Sequence, residues 1–266
     1  MIRPLDGHLA RKRFGQNFLV DQNIIRKIVS AIAVKPGEPI VEIGPGLGAL
    51  TAPLIAAAGH LHVVEIDRDL IARLKETYTP EQITIHEGDA LKFDFGALAA
   101  GSEGKLKVVG NLPYNISTPL LFHLAEFATG VKEMTFMLQR EVVDRMVADP
   151  DEEAYGRLGV MLQYRFHMAK LFDVPPGAFH PAPKVTSAIV RLVPKAAGEL
   201  DCDDDALLAK VVTAAFGQRR KTLRNTLKGI LDDGGFDALG VDPGKRGETL
   251  SLADFVRIAN YCAAKA

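Results

Sequence analysis

The stretch Pro39–Asp67 reads PIVEIGPGLGALTAPLIAAAGHLHVVEID: an apolar run, a glycine-rich turn, a segment of helical character, and a second apolar run ending in acids. This succession opens a parallel βαβ unit. Gly44, Gly46 and Gly48 carry no side chain, so the backbone can bend out of the strand and admit a ligand to the helix start, where unpaired N–H groups point outward. Pro53 is tolerated only near such a start. Glu65 ends the second run, where folds of this type place an acid that accepts hydrogen bonds from a ribose diol. The expectation is a nucleoside-containing cofactor. Its kind stays open at this point, because Gly44, Gly46 and Ala49 also fit the G-x-G-x-x-A spacing of nicotinamide dinucleotide sites.

Upstream of this unit, Asp21 reads as the N-cap of a helix with Ile24, Ile25, Ile28, Val29 and Ile32 on one broad face, ended by Lys35-Pro36-Gly37-Glu38. Downstream, Asp69–Thr77 reads as a helix and Ile83–Ala90 as a strand that delivers Asp89 to its carboxyl end. A small-residue linker, Gly96–Gly104, follows. The run Lys107–Gly110 ends in Asn111-Leu112-Pro113-Tyr114, and Ser117-Thr118-Pro119 opens a helix to Phe127. Met134–Leu138 is a further strand and Glu141–Val147 a further helix. Such alternation predicts a doubly wound parallel sheet covered on both faces, with ligands beyond the carboxyl ends of its strands. Glu65, Asp89 and Asn111 all fall at such ends.

Residues 156–174 change from helix to strand, and Ser187–Val193 alternates in the manner of a strand paired antiparallel at the end of the sheet. The small and acidic stretch Lys195–Asp205 marks a boundary between domains 1–195 and 196–266. Segments 206–216, 219–231 and 251–261 have helical period, so the second domain is expected to be small and all-helical.

The 266 residues are 47% apolar and 24% charged, an ordinary globular composition. Their net charge of −1 is unevenly spread: residues 1–27 carry +4 and residues 206–231 carry +6, so the rest carries −11. Two basic segments on an acidic body suggest a polyanionic partner met at particular faces. Cys202 and Cys262 lack C-x-x-C spacing and the histidines show no ligand spacing, so neither a disulfide framework nor a metal site is expected. With no apolar leader and no run of the ~20 residues that span a bilayer, the expected compartment is the cytoplasm, away from membranes. The stretch Arg11–Asp21, RKRFGQNFLVD, mixes basic, aromatic and amide side chains suited to a flap over a ligand.

Asn111-Leu112-Pro113-Tyr114 displays an amide, a backbone carbonyl directed by the following proline, and an aromatic ring. These groups suit a flat base with an exocyclic amine: the amide oxygen and the carbonyl accept its N–H bonds while the ring stacks on the base. An adenine amine is a poor nucleophile because its lone pair is conjugated into the ring. Two acceptors favour a tetrahedral nitrogen whose lone pair faces an electrophile, and a methyl sulfonium is strong enough. This selects S-adenosylmethionine over a nicotinamide, with alignment rather than a strong base supplying much of the acceleration.

FGQNFL (Phe14–Leu19), VEIGPGLGALT (Val41–Thr51), VVEID (Val63–Asp67), GDAL (Gly88–Leu91), GNLPYNIST (Gly110–Thr118), AFHPAPKVTSAIVRL (Ala178–Leu192) and FGQRRKTLRN (Phe216–Asn225) together resemble the ribosomal RNA small-subunit adenine dimethyltransferases, the kasugamycin-resistance methyltransferase family. The resemblance spans nearly the whole chain. It implies a Rossmann-like methyltransferase fold with a smaller C-terminal helical domain, and transfer of two methyl groups to N6 of each of two adjacent adenosines in a hairpin near the 3′ end of small-subunit rRNA. It also implies work on the immature 30S subunit, with a part in ribosome assembly, and a monomer is expected. On the same resemblance Asn17, Leu19, Gly44, Glu65, Asp89 and Asn111 contact S-adenosylmethionine, with Glu65 on the ribose and Asp89 on the adenine amine. Leu112 and Tyr114 handle the target base with Asn111, and Phe179 forms the other side of an aromatic sandwich. Arg11, Lys12 and Arg13, with Arg219, Arg220, Lys221 and Arg224, would bind RNA phosphates on either side of the catalytic cleft.

Rival expectations are a macrolide-resistance methyltransferase of large-subunit rRNA, a non-catalytic assembly factor and a dinucleotide oxidoreductase. The C-terminal FGQRRKTLRN block favours the small-subunit enzyme. Alanine at Arg220 and Lys221 is expected to weaken rRNA binding in a salt-dependent way while cofactor affinity stays intact, as read in parallel binding titrations. Equal loss of both affinities would count against separate sites.

Overall fold

The computed structural model describes residues 17–113 and 115–265. Arg11, Lys12, Arg13 and Tyr114 lie outside them. The chain divides into two compact units, one drawn from Met1–Val143 and Ala169–Pro194, the other from Asp144–Met168 and Lys195–Ala266. The sequence reading grouped 144–168 with the first domain. Its apolar residues Tyr155, Val160 and Tyr164 are instead buried with Leu208, Val211 and Phe255 of the second unit.

In chain order the elements of the first unit begin with β1 (Phe18–Leu19), α1 (Gln22–Ile32), β2 (Ile40–Ile43), α2 (Thr51–Ala58), β3 (Leu61–Glu65), α3 (Arg68–Thr77) and β4 (Ile83–Glu87). Then come α4 (Phe95–Ala100), β5 (Leu106–Asn111), α5 (Ser117–Ala125) and β6 (Val131–Gln139), and α6 (Arg140–Val147) runs across the boundary at Val143. After α7 (Arg157–Arg165), the chain returns through β7 (Phe166–Val174), β8 (Phe179–His180) and β9 (Ser187–Pro194). The cap and buried face of α1 follow the sequence: Asp21 Oδ1 accepts the N–H groups of Asn23 and Ile24 at 2.8 and 3.1 Å, and Ile25, Ile28 and Ile32 are buried. The Gly96–Gly104 stretch contains α4 rather than only a linker, because Asp94 caps Ala97 N–H at 2.8 Å ahead of an alanine-rich turn.

The main sheet has seven strands in the order β4-β3-β2-β5-β6-β9-β7. Strands β2 to β6 pair in parallel and β9 runs antiparallel to β6. The sequence reading put Ser187–Val193 at the end of the sheet, whereas β7 is outermost and β9 is covered on both sides. Burial accounts for this: Ala188, Ile189 and Val190 are inaccessible, whereas β7 exposes His167, Lys170 and other polar residues, as an edge strand does. The order reverses between β2 and β5, so the crevice for a ligand lies beyond their carboxyl ends. Gly110 in β5 faces Ile43 of β2, and a Cβ there would stand 2.6 Å from the Ile43 carbonyl oxygen. Only glycine lets the two strand ends approach this closely.

At the opposite ends of the strands, Lys107 is buried. Its Nζ donates to the Ile32 and Ala33 carbonyls at 2.8 and 3.2 Å and pairs with Glu133 at 2.8 Å and Glu38 at 3.5 Å. The unpaired last carbonyls of α1 are thereby satisfied by a cation, the sign that a helix C-terminus favours.

In the second unit α7 is joined by α8 (Asp205–Phe216), α9 (Leu223–Thr226), α10 (Asp233–Leu239) and α11 (Leu252–Ala263). The helix expected over 219–231 shrinks to α9. The N–H groups of Leu223 and Arg224 bond the Lys245 and Pro243 carbonyls at 2.8 and 3.0 Å, and Gly229 takes a left-handed φ of 81°. Among the described residues no helix is long and apolar enough to cross a membrane.

Replacing Lys107 with methionine is expected to lower stability by about 3 kcal/mol, since Glu133 and two carbonyls lose their donor in a buried place. Urea unfolding of the full chain measures it, and a change below about 0.5 kcal/mol would show that water or Arg191, whose Nε lies 3.8 Å from Glu133, replaces the ammonium.

Candidate active site

Beyond the carboxyl ends of β2, β3 and β5 lies a cleft of about 270 Å³. Asn17, Leu19, Gly44, Glu65, Asp89, Asn111 and Leu112 all line it, so residues singled out between Asn17 and Leu112 meet in one place. Gly44 turns the chain out of β2 with a φ of 64°, and a Cβ added there would meet no protein atom within 4 Å. That vacant side is a place where a ligand can approach the backbone.

Glu65 is held rather than left to swing. Its Oε1 accepts the N–H groups of Ile66 and Asp67, both at 2.8 Å, and the Gly46 N–H also bonds its carboxylate. Burial pushes its carboxyl up from the usual carboxylate range, against these bonds. Asp89 lies two residues past the end of β4 and accepts the Leu91 N–H at 3.0 Å. At the end of β5, Asn111 Nδ2 donates to the Asn17 carbonyl at 3.1 Å, which leaves Oδ1 as the acceptor end of the amide. The Leu112 N–H is tied to the Met137 carbonyl at 3.2 Å.

Phe179 is not brought to this lining. It is 4% exposed, pairs with Leu19 across β1 and β8, and packs in the core of the first unit. The β1–β8 pairing, with Val20 N–H on the Ala178 carbonyl at 2.8 Å, holds Asn17 and Leu19 at the cleft. Tyr114 is outside the described residues, so the stacking side of the arrangement rests on its sequence position. Arg219, Arg220, Lys221 and Arg224 are exposed on the second unit, Arg224 paired with Asp233 at 3.2 Å.

Two lining residues were missed in the sequence. Ile66 is 50% exposed although large and apolar, and it lines the cleft beside Glu65. Its signal was an isoleucine between two acids at a strand end, which periodicity alone assigns to the core. Glu42 is the other: it sits within β2, 2% exposed, and its Oε2 accepts the Thr51 hydroxyl at 2.6 Å. Burial, with the nearby Glu65 charge adding, pushes its carboxyl up to about 7 despite that bond. An acid inside an apolar strand was visible in the sequence but was read only as part of the run.

The described lining thus contains Glu42, Glu65 and Asp89 and no lysine, arginine or histidine. Such a wall suits a cationic ligand. S-adenosylmethionine fits it, being a nucleoside with a sulfonium and an ammonium. When bound, it supplies an electrophilic methyl group. Among the described residues no group of three or more metal-binding side chains could hold an ion.

A doubly wound sheet with a glycine-turned, carboxylate-walled cleft at its switch point defines an S-adenosylmethionine-dependent methyltransferase of Rossmann-like fold. The model of the family described as ribosomal RNA adenine dimethylase matches residues 7–264, and the chain belongs to that family. A ribosomal RNA small subunit methyltransferase A of Aromatoleum aromaticum is 71% identical over 258 residues, covering 97% of this chain and 96% of its own. One of the same name from Dechloromonas aromatica is 60% identical, covering 97% and 99%. Among solved structures, a dimethyladenosine transferase from Plasmodium falciparum superposes with a TM-score of 0.74 at 26% identity, over 91% of this chain and 95% of that one. The 23S rRNA methyltransferase ErmE gives 0.71 at 25% identity, over 93% and 100%.

The raised carboxyl of Glu42 makes a signed statement about pH. Between about 4.5 and about 7 the folded chain keeps a proton that the unfolded chain has lost, so this group's contribution to stability falls as pH rises through that window. The loss is about 3 kcal/mol at its full extent. In cofactor-free protein, Glu42→Gln, which keeps the Thr51 bond, is expected to melt at a higher temperature than the unaltered chain at pH 8 and at nearly the same temperature at pH 5. Parallel melting curves that keep their spacing across this range would contradict it.

Proposed function

We propose that this protein dimethylates N6 of two adjacent adenosines in a hairpin near the 3′ end of small-subunit rRNA, acting as a monomer on the immature 30S subunit in the cytoplasm. The observation that carries the chemistry is Asn111 at the end of β5, its Nδ2 on the Asn17 carbonyl and its amide in the carboxylate-walled cleft. The choice of small-subunit RNA is supported by relatives up to 71% identical whose names specify it.

Asn111 Oδ1 and the Leu112 carbonyl accept the two N–H bonds of the target amine and set its lone pair toward the methyl donor. As positive charge grows on that nitrogen, each acceptor strengthens by about 1.5–3 kcal/mol. Tyr114 stacks on the base, worth about 1–3 kcal/mol of affinity. Phe179 acts at one remove, by fixing β8 against β1 and so holding Asn17 and Leu19. Glu65 receives the ribose hydroxyls, Asp89 the cofactor's adenine amine, and Ile66 covers a face of that ring. No strong base is needed, because the amine reacts neutral and its proton leaves to water after transfer. Catalysis and cofactor binding are assigned to the first unit, and RNA binding to the part of the second unit that follows residue 195. There Arg219, Arg220, Lys221 and Arg224 meet phosphates, as do Arg11, Lys12 and Arg13 near the N-terminus.

The likeness to a 23S rRNA methyltransferase favours one alternative, a large-subunit substrate. Methyl transfer to immature small subunits, with none to naked large-subunit rRNA, separates the two. In cells lacking the protein, mass spectrometry of small-subunit rRNA is expected to lose dimethyladenosine, and unchanged dimethyladenosine would overturn the proposal. Asn111→Ala is expected to lower kcat by about 10²–10³-fold, with a much smaller change in KM for S-adenosylmethionine, measured by labelled methyl incorporation.

A further inference from the structure

The second unit carries a basin of about 710 Å³ whose walls include Arg224, Lys228, Tyr261 and Lys265, with Asp232 and Asp233 beside them. Its charges are not equally available. Asp232 Oδ1 is committed to capping α10, accepting the Gly235 N–H at 2.7 Å, and Asp233 pairs with Arg224 at 3.2 Å. Lys228 is exposed and has no hydrogen-bond or ion-pair partner among the described residues. The Lys265 ammonium stands 4.3 Å over the half-buried ring of Tyr261, hydrogen-bonds that side chain and feels the Asp232 charge, with one side of the ammonium left for a further partner. Two cations and an aromatic ring are therefore gathered around a space of the size that holds a small organic ligand.

We propose that this basin holds an unpaired nucleotide of the RNA, its phosphate between Lys228 and Lys265 and its base against Tyr261. The proposal rests on the reading of the chain as an enzyme of small-subunit rRNA. Proteins read RNA mainly where bases are unpaired, by stacking them on aromatic rings and pairing the phosphate with cations. An acidic peptide would use the cations and leave the ring without a role. The exposed Arg219, Arg220 and Lys221 lie just ahead of Arg224 and Lys228 in the chain, so the basic run and the basin belong to one segment. The basin differs from that group in kind. Arginines on an open surface grip backbone alone, whereas a ring recessed in a basin selects a base that is not paired.

The test measures binding of the full chain to transcribed small-subunit rRNA and to immature small subunits over a range of salt. Lys228→Gln is expected to reduce the slope of log affinity against log salt by about 0.7, the value of one lost phosphate contact on a single strand. Tyr261→Leu is expected to weaken binding by about 10-fold with the slope unchanged. Both should leave S-adenosylmethionine affinity as it was. Thermal melting checks that Tyr261→Leu folds, and Lys228→Gln changes only an exposed side chain, so it decides the matter if the other variant is unstable. Unaltered affinity and slope for Lys228→Gln would overturn the proposal while the wider reading stands. Loss of binding to subunits but not to naked rRNA would assign the basin to a ribosomal protein and also overturn it. If the unaltered chain itself fails to bind rRNA, the wider reading falls first and the basin with it.

Discussion

The contact between Gly110 and the Ile43 carbonyl governs the rest of the catalytic unit. Parallel strands in a doubly wound sheet diverge most usefully where their order reverses, and here the reversal lies between β2 and β5. A side chain at Gly110 would stand 2.6 Å from the neighbouring carbonyl oxygen and push the strand ends apart. Because it is absent, Asn111 leaves β5 beside the Gly44 turn that leaves β2. The amide at the end of β5 and the glycine turn after β2 are thereby set by one backbone approach rather than by long side chains.

Electrostatics then give the cleft its selectivity. Glu42, Glu65 and Asp89 border it without a basic side chain among the described lining residues. Glu42 shows the cost of this arrangement, its carboxyl pushed up by burial to about 7. A cationic ligand relieves that cost, since its charge favours the ionised carboxylates. The opposite ends of the strands use the reverse logic. There a buried cation, Lys107, meets Glu133, Glu38 and the final carbonyls of α1, and so fixes that helix against β5.

Charge is arranged locally within each unit rather than divided between them. Acids gather at the cleft of the first unit, whereas Arg219, Arg220, Lys221 and Lys228 stand exposed on the second. A cationic ligand at the cleft and a polyanion at the exposed basic run call for opposite local potentials.

From the amino-acid order alone came the βαβ start, the capped α1, the alternation that makes a doubly wound sheet, and the gathering of Glu65, Asp89 and Asn111 at strand ends. These depend on periodicity, caps and glycine positions, which act over a few residues. Tertiary structure alone decided that β9 lies inside the sheet and β7 at its edge, because strand order is a long-range pairing that local alternation does not encode. It also shortened the 219–231 helix, whose amides found carbonyls at Pro243 and Lys245. It placed Phe179 in the core and lifted the Glu42 carboxyl, since burial is set by what the whole chain packs around a side chain and by nothing in its immediate neighbours.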